Sequence, residues 1–345
     1  MAVDLPTSSR EIRLAAVPEG LPEPQHFRLV ETPLPVAGPG EVLVRNRWFQ
    51  VVAALRTLIE GGVEGTPFTA LRPGDTLYGP AIGEVVAAPA DSGLRPGELV
   101  SHWLGWREYA AVPLASAVPL GDVLPDPVAH LAQGWVAYVA LTQGLRVRPA
   151  DTVFVSGAAG AVGTMAGQLA RLLGAGRVVG SAGTREKADR LVAELGYDAV
   201  VVRGAGPMAE QLAKAAPEGI DVMLDNVGGE QLQAAVGLAR PHARFVLVGA
   251  LSGQLAVEPR GRDGGMLAPV ELDSFQLIIK RITLSSVSGQ DVPELLPEWN
   301  ERFGGWLRSG EIRFPQVRIP GIDGAARALH EVLAGSHFGT VVVEL

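Results

Sequence analysis

No cysteine occurs among the 345 residues of the chain. That absence excludes disulfides, thiolate catalysis and any zinc site built on thiolate ligands. Aromatic residues are few, at 6%, and only four of them are tyrosines that could serve as phenolic proton donors. No run of Lys and Arg is present and the formal net charge is −8, so a nucleic-acid partner has no electrostatic footprint. No uninterrupted apolar run reaches the roughly 18 residues of a membrane span. The start, MAVDLPTSSREIRL, lacks the apolar core of a secretion signal. The expectation is a cytoplasmic protein with no membrane or nucleic-acid partner. Four of its histidines, His102, His130, His242 and His337, show no metal-ligand spacing, so no metal site is expected.

What is present points to buried cores and many turns. Hydrophobic residues make up 47%, and 43 glycines and 26 prolines are spread along the chain rather than repeated. This length suits two domains. Strand patterns at 152–155, 177–181, 199–202, 221–225 and 244–248 alternate with helical patterns at 164–173, 186–195, 208–215 and 230–238. Such alternation predicts right-handed βαβ units and a doubly wound parallel sheet. The first 125 residues instead carry short strands broken by Pro and Gly: EVLVRNRWFQV, PGDTLYG, AIGEVVAA, ELVSHW and REYAAVP. They predict a mostly antiparallel β domain. LPDPVAHLAQGWVAYVALTQG reads as a connecting helix, 252–269 as a loop, and 291–307 and 321–333 as helices. The last strand, in GTVVVEL, is expected to rejoin the N-terminal domain.

The stretch VFVSGAAGAVGTMAGQLARLLG places a glycine turn between the first of these strands and its helix. Ala158-x-Gly160-x-x-Gly163 is the dinucleotide fingerprint with alanine at its first position. Gly160 lets backbone approach a pyrophosphate, and Gly163 lets helix and strand pack closely. The N–H groups opening that helix, at Ala161 and Val162, then favour phosphate. A glycine-rich turn built only for tight packing is the competing reading.

An NAD site places an acid at the end of the second strand. Here the strand ends Gly180-Ser181-Ala182-Gly183, followed by Thr184-Arg185-Glu186-Lys187. Ser181, Thr184, Arg185 and Lys187 offer the hydroxyl and cationic partners that a 2′-phosphate takes. NADPH is therefore the expected cofactor, with Glu186 as a ribose acid left open as the alternative.

SGAAGAVGTMAGQLARLLG, VVGSAGTREKADRL, DVMLDNVGGE and FVLVGALSG together resemble the medium-chain dehydrogenase/reductase superfamily. They are most similar to its zinc-independent branch of prostaglandin reductases, leukotriene B4 dehydrogenases and alkenal double-bond reductases. The resemblance implies an α/β fold: a Rossmann doubly wound parallel sheet plus a mostly antiparallel, GroES-like catalytic domain. It implies a split catalytic domain at 1–125 and 290–345 around an NADP-binding domain at 126–289. It also implies reduction by NADPH of the C=C of an α,β-unsaturated carbonyl, with that small molecule as the partner. Lys187 matches the family lysine on the 2′-phosphate, and Asn226 an asparagine near the nicotinamide. Gly183, Arg203, Gly249, Ala250 and Leu251 complete the cofactor-binding set. The resemblance further implies a homodimer joined along 282–287.

Departures fall on the substrate side. The family's Val-Asp-Pro-Tyr-Met-Arg stretch is Val51-Val52-Ala53-Ala54-Leu55-Arg56 here, with Ala54 at the tyrosine position. Ala250-Leu251-Ser252-Gly253-Gln254 carries no phenol, Arg203 stands where a tyrosine is common, and His337 replaces an asparagine. Tyr78 and Tyr138 are then the candidate catalytic proton donors, with Tyr109, Ser288 and His102 behind them. Trp48, Phe49, Trp103, Trp106 and Trp135 could wall an apolar pocket, and Arg260 and Arg262 could meet an anionic substrate handle. The alanine- and arginine-rich composition suits a high-GC bacterium and a setting in secondary metabolism. An NADPH quinone oxidoreductase and a non-catalytic NADP-binding protein remain the alternatives.

Overall fold

The computed structural model describes residues 5–59, 69–255 and 268–345. β1 (Ser8–Leu14) and β2 (Phe27–Pro33) pair antiparallel, and β1 sends Ile12 and Leu14 into a core with Phe49, Leu77 and Trp106. β3 (Glu41–Val51), β4 (Ala81–Ala87), β5 (Leu99–His102), β6 (Tyr109–Pro113) and β7 (Val118–Pro119) form an antiparallel array, with α1 (Leu55–Ile59) following β3. The expected single connecting helix is three pieces: a 3-10 turn at Pro127–Leu131, α2 (Gly134–Val139) and a π-turn at Ala140–Gly144. Pro127 and Gly134 interrupt the run, since neither favours a helix interior.

The next segment is doubly wound. In chain order it runs β8 (Thr152–Val155), α3 (Ala161–Leu172), β9 (Arg177–Ala182), α4 (Arg185–Leu195), β10 (Ala199–Val202) and α5 (Met208–Ala215). β11 (Ile220–Asp225), α6 (Gly229–Leu238), β12 (Ala239–Leu247), the short α7 (Leu251–Gln254), α8 (Ser274–Lys280) and β13 (Thr283–Ser286) complete it. The six strands are parallel in the order β10-β9-β8-β11-β12-β13. The order reverses between β8 and β11, so a ligand crevice lies at their carboxyl ends. Every residue of β8 is buried: Val153 and Val155 enter the core on one face of the sheet and Phe154 the core on the other. Burial on both faces is why this strand reads as a continuous apolar run.

The remainder serves both domains. α9 (Leu296–Ser309) packs Trp299 and Phe303 into the core of the parallel sheet, with Ile312 and Phe338. β14 (Gln316–Pro320), α10 (Ala325–Leu333) and β15 (Thr340–Glu344) return to the antiparallel sheet. β15 lies against β3, Val341 opposite Val51 and Val343 opposite Phe49, so the tail rejoins the N-terminal strands as expected.

α3 lies close over the following strands because Gly167 faces the ring of Tyr197, which is fully buried. A methyl on Gly167 would fall 2.2 Å from Tyr197 Cζ. The Tyr197 hydroxyl donates to the Gly163 carbonyl at 2.7 Å, and burial raises its pKa well above the ordinary phenol range. Gly167→Ala overpacks this contact and is expected to cost about 2–3 kcal/mol, measured by denaturant unfolding. Tyr197→Phe, which keeps the ring and loses one hydrogen bond, is expected to cost about 1 kcal/mol.

Candidate functional site

The glycine turn is shaped for close approach from both sides. Gly157 has φ +60°, and a methyl on Gly163 would sit 2.4 Å from the Gly157 carbonyl oxygen. At Gly160, the N-cap of α3, a methyl would meet only that same oxygen at 3.4 Å. No side chain caps the helix. The N–H groups of Ala161, Val162 and Gly163 therefore open the twelve-residue helix as donors without intrahelical partners, at the positive end of its dipole. Open N–H groups at a helix start suit an anionic group.

Behind the turn, polar groups hold it rigid. The Gly157 N–H donates to Ser181 Oγ at 2.9 Å, and Ser181 Oγ donates to Gln231 Oε1. Ser181 is 1% exposed. Its hydroxyl thus supports the turn from inside rather than facing a 2′-phosphate. At the end of β11, the buried Asp225 accepts from Ser156 Oγ at 2.6 Å and from the N–H groups of Val227 and Gly228 at 3.0 Å. Asn226 donates its side-chain amide to the Ser156 carbonyl at 2.7 Å. Gly249 donates to the Asp225 carbonyl, and Leu251 to that of Asn226. A methyl on Gly249 would lie 2.8 Å from the Asn226 carbonyl oxygen. Asn226, Gly249, Ala250 and Leu251 are thereby one surface at the carboxyl ends of β11 and β12. Asp225, its keystone, was not singled out from the sequence, because nothing in DNVGG shows that its acid is buried.

The third part lies at the end of β9. Thr184 caps α4 by accepting from the Lys187 N–H at 3.3 Å. The Arg203 guanidinium leans over Gly183, its Nη2 3.6 Å from where a Cβ there would stand. Burial lowers the pKa of Lys187; repulsion from Arg190 and Arg203 adds to the fall, while Glu186 opposes it. A cavity of about 290 Å³ adjoins Lys187, lined in part by Thr184, Arg190, Ser336 and His337. The cations gather beside a strand end that offers no carboxylate.

The two tyrosines do not converge. The Tyr138 hydroxyl donates to Glu298 at 2.7 Å and accepts from Arg302 at 2.8 Å, and its ring packs on Trp299, 5.3 Å between centroids. It fastens α2 to α9 beside the parallel sheet. Tyr78 belongs to the other core and donates to the Thr69 carbonyl at 2.7 Å. Burial raises the pKa of both phenols. Leu255, from the segment beyond β12, packs on the same cluster as Val52, Ala53 and Tyr78. His102 is held to about 4, chiefly by burial, and its Nδ1 accepts from the Leu104 N–H. A neutral imidazole at that position is no acid near pH 7. Ser288 closes a turn with Gln290 and Asp291, and Tyr109 pairs across β3 through backbone.

The expected aromatic wall is mostly core. Phe49 and Trp106 are fully buried with centroids 5.2 Å apart, and Trp48 donates to Glu344. Trp103 is half-exposed. Trp135 lies over Gly289, where a Cβ would fall 2.2 Å from the indole nitrogen. Nearby, Gln133 Nε2 donates to Gln50 Oε1 at 2.8 Å and ties the two domains. The partners are 83 residues apart, so no local pattern reveals the pair. Arg260 and Arg262 lie outside the described residues. Among the described residues, no three His, Asp or Glu side chains gather as a metal site, and no helix is long and apolar enough to cross a membrane.

The family model described as "Zinc-binding dehydrogenase" matches residues 161–302, and that described as "N-terminal domain of oxidoreductase" matches 10–120. The chain is 31% identical to the NADPH-dependent curcumin reductase of Escherichia coli over 341 residues, covering 96% of this chain and 95% of that one. It is 28% identical to the 2-alkenal reductase (NADP(+)-dependent) of Nicotiana tabacum, covering 89% and 88%. The crystal structure of CurA from Vibrio vulnificus in complex with NADPH superposes with a TM-score of 0.86 at 29% identity, over 97% of this chain and 98% of that one. With this family match and no cysteine to hold zinc, the chain belongs to the zinc-independent branch of the medium-chain dehydrogenase/reductase family, as an NADP-dependent oxidoreductase.

Proposed function

We propose that the protein reduces the carbon–carbon double bond of an α,β-unsaturated carbonyl compound with NADPH, as a cytoplasmic homodimer. The observation that carries the cofactor choice is the end of β9. Ala182 and Gly183 stand where an acid would receive a ribose 2′-hydroxyl, and Lys187 and Arg203 stand beside it. Thr184, Lys187 and Arg203 take the 2′-phosphate by charge-assisted hydrogen bonds. Gly160, Ala161 and Val162 hold the pyrophosphate on backbone. Asn226, Gly249, Ala250 and Leu251 border the nicotinamide end, and Ser181 supports the turn from behind.

The bound cofactor supplies a hydride for the β-carbon of the substrate. The protein's share is to orient the two partners and to exclude water. Tyr78 is the candidate to return a proton to the α-carbon, since Tyr138 is tied to Glu298 and Arg302. The curcumin and 2-alkenal reductases among the relatives support an enone rather than a quinone. The quinone reading draws on a different observation: Tyr138 is held by Glu298 and Arg302, His102 is neutral near pH 7, and a quinone asks for less proton management.

The homodimer reading rests on an unpaired edge. Among the described residues β13 pairs only with β12, and α8 beside it exposes Phe275 by 65%, Ile278 by 71% and Ile279 by 53%. A second copy covers such a strip by continuing the sheet.

Loss of reduced-nicotinamide absorbance with a panel of enones and quinones tests the reaction. Turnover of enones is expected; turnover of quinones alone selects the other reading. Arg203→Met is expected to weaken NADPH about tenfold, or ~1.4 kcal/mol, and to leave NADH unchanged by calorimetric titration. Ile278→Glu is expected to convert a dimer to a monomer in light scattering. A monomeric parent protein removes the dimer proposal.

A further inference from the structure

We propose that Lys187 is a clasp between the two domains as well as a cation for the 2′-phosphate, positioning the loop 335–339 against the pyrophosphate turn. This extends the NADPH reading, on which its second role rests.

An ammonium has three donors. Two of them are engaged within the chain: Lys187 Nζ donates to the carbonyl oxygens of Gly335 and His337, the latter at 2.7 Å. Lys187 stands in the first turn of α4, in the parallel-sheet domain, while the two carbonyls belong to the loop that enters β15 of the antiparallel sheet. The same loop docks twice more within the next two residues. Phe338 lies under the Arg190 guanidinium, 4.0 Å from ring centroid to Cζ. The Gly339 N–H donates to the Ala159 carbonyl at 2.9 Å, and Gly339 forms a parallel bridge with Gly160. Gly339 has φ +87°, and a methyl there would fall 2.2 Å from the Pro315 carbonyl oxygen, so only glycine allows this path.

The three contacts connect the 2′-phosphate region directly to the pyrophosphate turn. Two carbonyls fix the ammonium in place, so its third donor is preset for an anion, and less ordering remains for binding. Removing the side chain leaves two carbonyls unpaired and releases the loop. The Ala159–Gly160 backbone then loses its outer partner. That backbone serves any dinucleotide, phosphorylated on its ribose or not. A plain phosphate ligand would matter to NADPH alone; a clasp matters to NADH as well.

Lys187→Met, Lys187→Arg and the parent protein are titrated with NADPH and NADH in a calorimeter. Deuterium uptake of the cofactor-free proteins is followed over 335–345. The methionine variant is expected to weaken NADH at least fivefold as well as NADPH, and to speed uptake over 335–339. Arginine, which keeps charge and donors, is expected to restore slow uptake and NADH affinity to within about threefold of the parent. NADH affinity or loop uptake unchanged in the methionine variant overturns the clasp. Should that variant fail to fold, uptake in the parent decides: the clasp requires the Gly339 amide to be protected like those of β15, and exchange at the rate of an exposed loop overturns it. A parent protein that binds no NADPH defeats the cofactor reading, while the uptake result still judges the clasp.

Discussion

Everything at the crevice depends on how closely α3 lies on the turn that follows β8. With hydrogen in place of a side chain at Gly163, the helix start comes down onto the Gly157 and Ala158 backbone. Any methyl there would push the helix away, and its open N–H groups would no longer point at the switch in strand order. Three groups then brace the approach from different directions: the Tyr197 hydroxyl on the Gly163 carbonyl, Ser181 on the Gly157 amide, and Gly339 on the Ala159 carbonyl. Interiors are packed densely enough that such a position has few degrees of freedom left. The site is therefore a property of the packing, and the residues that touch a ligand are mostly backbone.

Much of this was legible in the sequence because the parallel strands are buried on both faces and the helices keep a clear period. β8, β10 and α5 fall on the expected residues. β12 begins earlier than expected, at Ala239, because His242 takes φ +67° and the pairing with β11 shifts register; an irregular strand has no clean alternation to read. The connecting segment looked like one helix since hydrogen-bond spacing, which separates 3-10, α and π turns, leaves no mark in an apolar pattern. Side-chain roles were harder. Ser181 sits at the strand end where a phosphate partner is expected, yet its orientation is set by Gly157 and Gln231. The sequence shows Tyr138 only as a phenol, while Glu298 and Arg302, some 160 residues on, decide what that phenol does.

The charge pattern shows how a local field can oppose the overall one. The chain is acidic as a whole, with a net charge of −8. Around the start of α4, Lys187, Arg190 and Arg203 stand close enough to repel. Arg190 is partly neutralised by Glu194, and Lys187 by Glu186. Arg203 is the cation turned toward Gly183. Clustering like charges has a stability cost that an incoming anion relieves, so a composition that argues against polyanions is consistent with a tight site for one small one.

The sheet built on β3 has a different consequence, for the order of events in folding. β3 is flanked by β15, and Trp48 meets Glu344 across 296 residues. Ribosomes release the amino-terminal strands long before their partner emerges. The intervening parallel sheet draws all six strands from one contiguous stretch and can assemble while synthesis continues. The antiparallel array is then expected to stay open along Trp48–Val51 of β3 until the tail arrives, leaving a newly made molecule most vulnerable to sticking and proteolysis in its oldest residues.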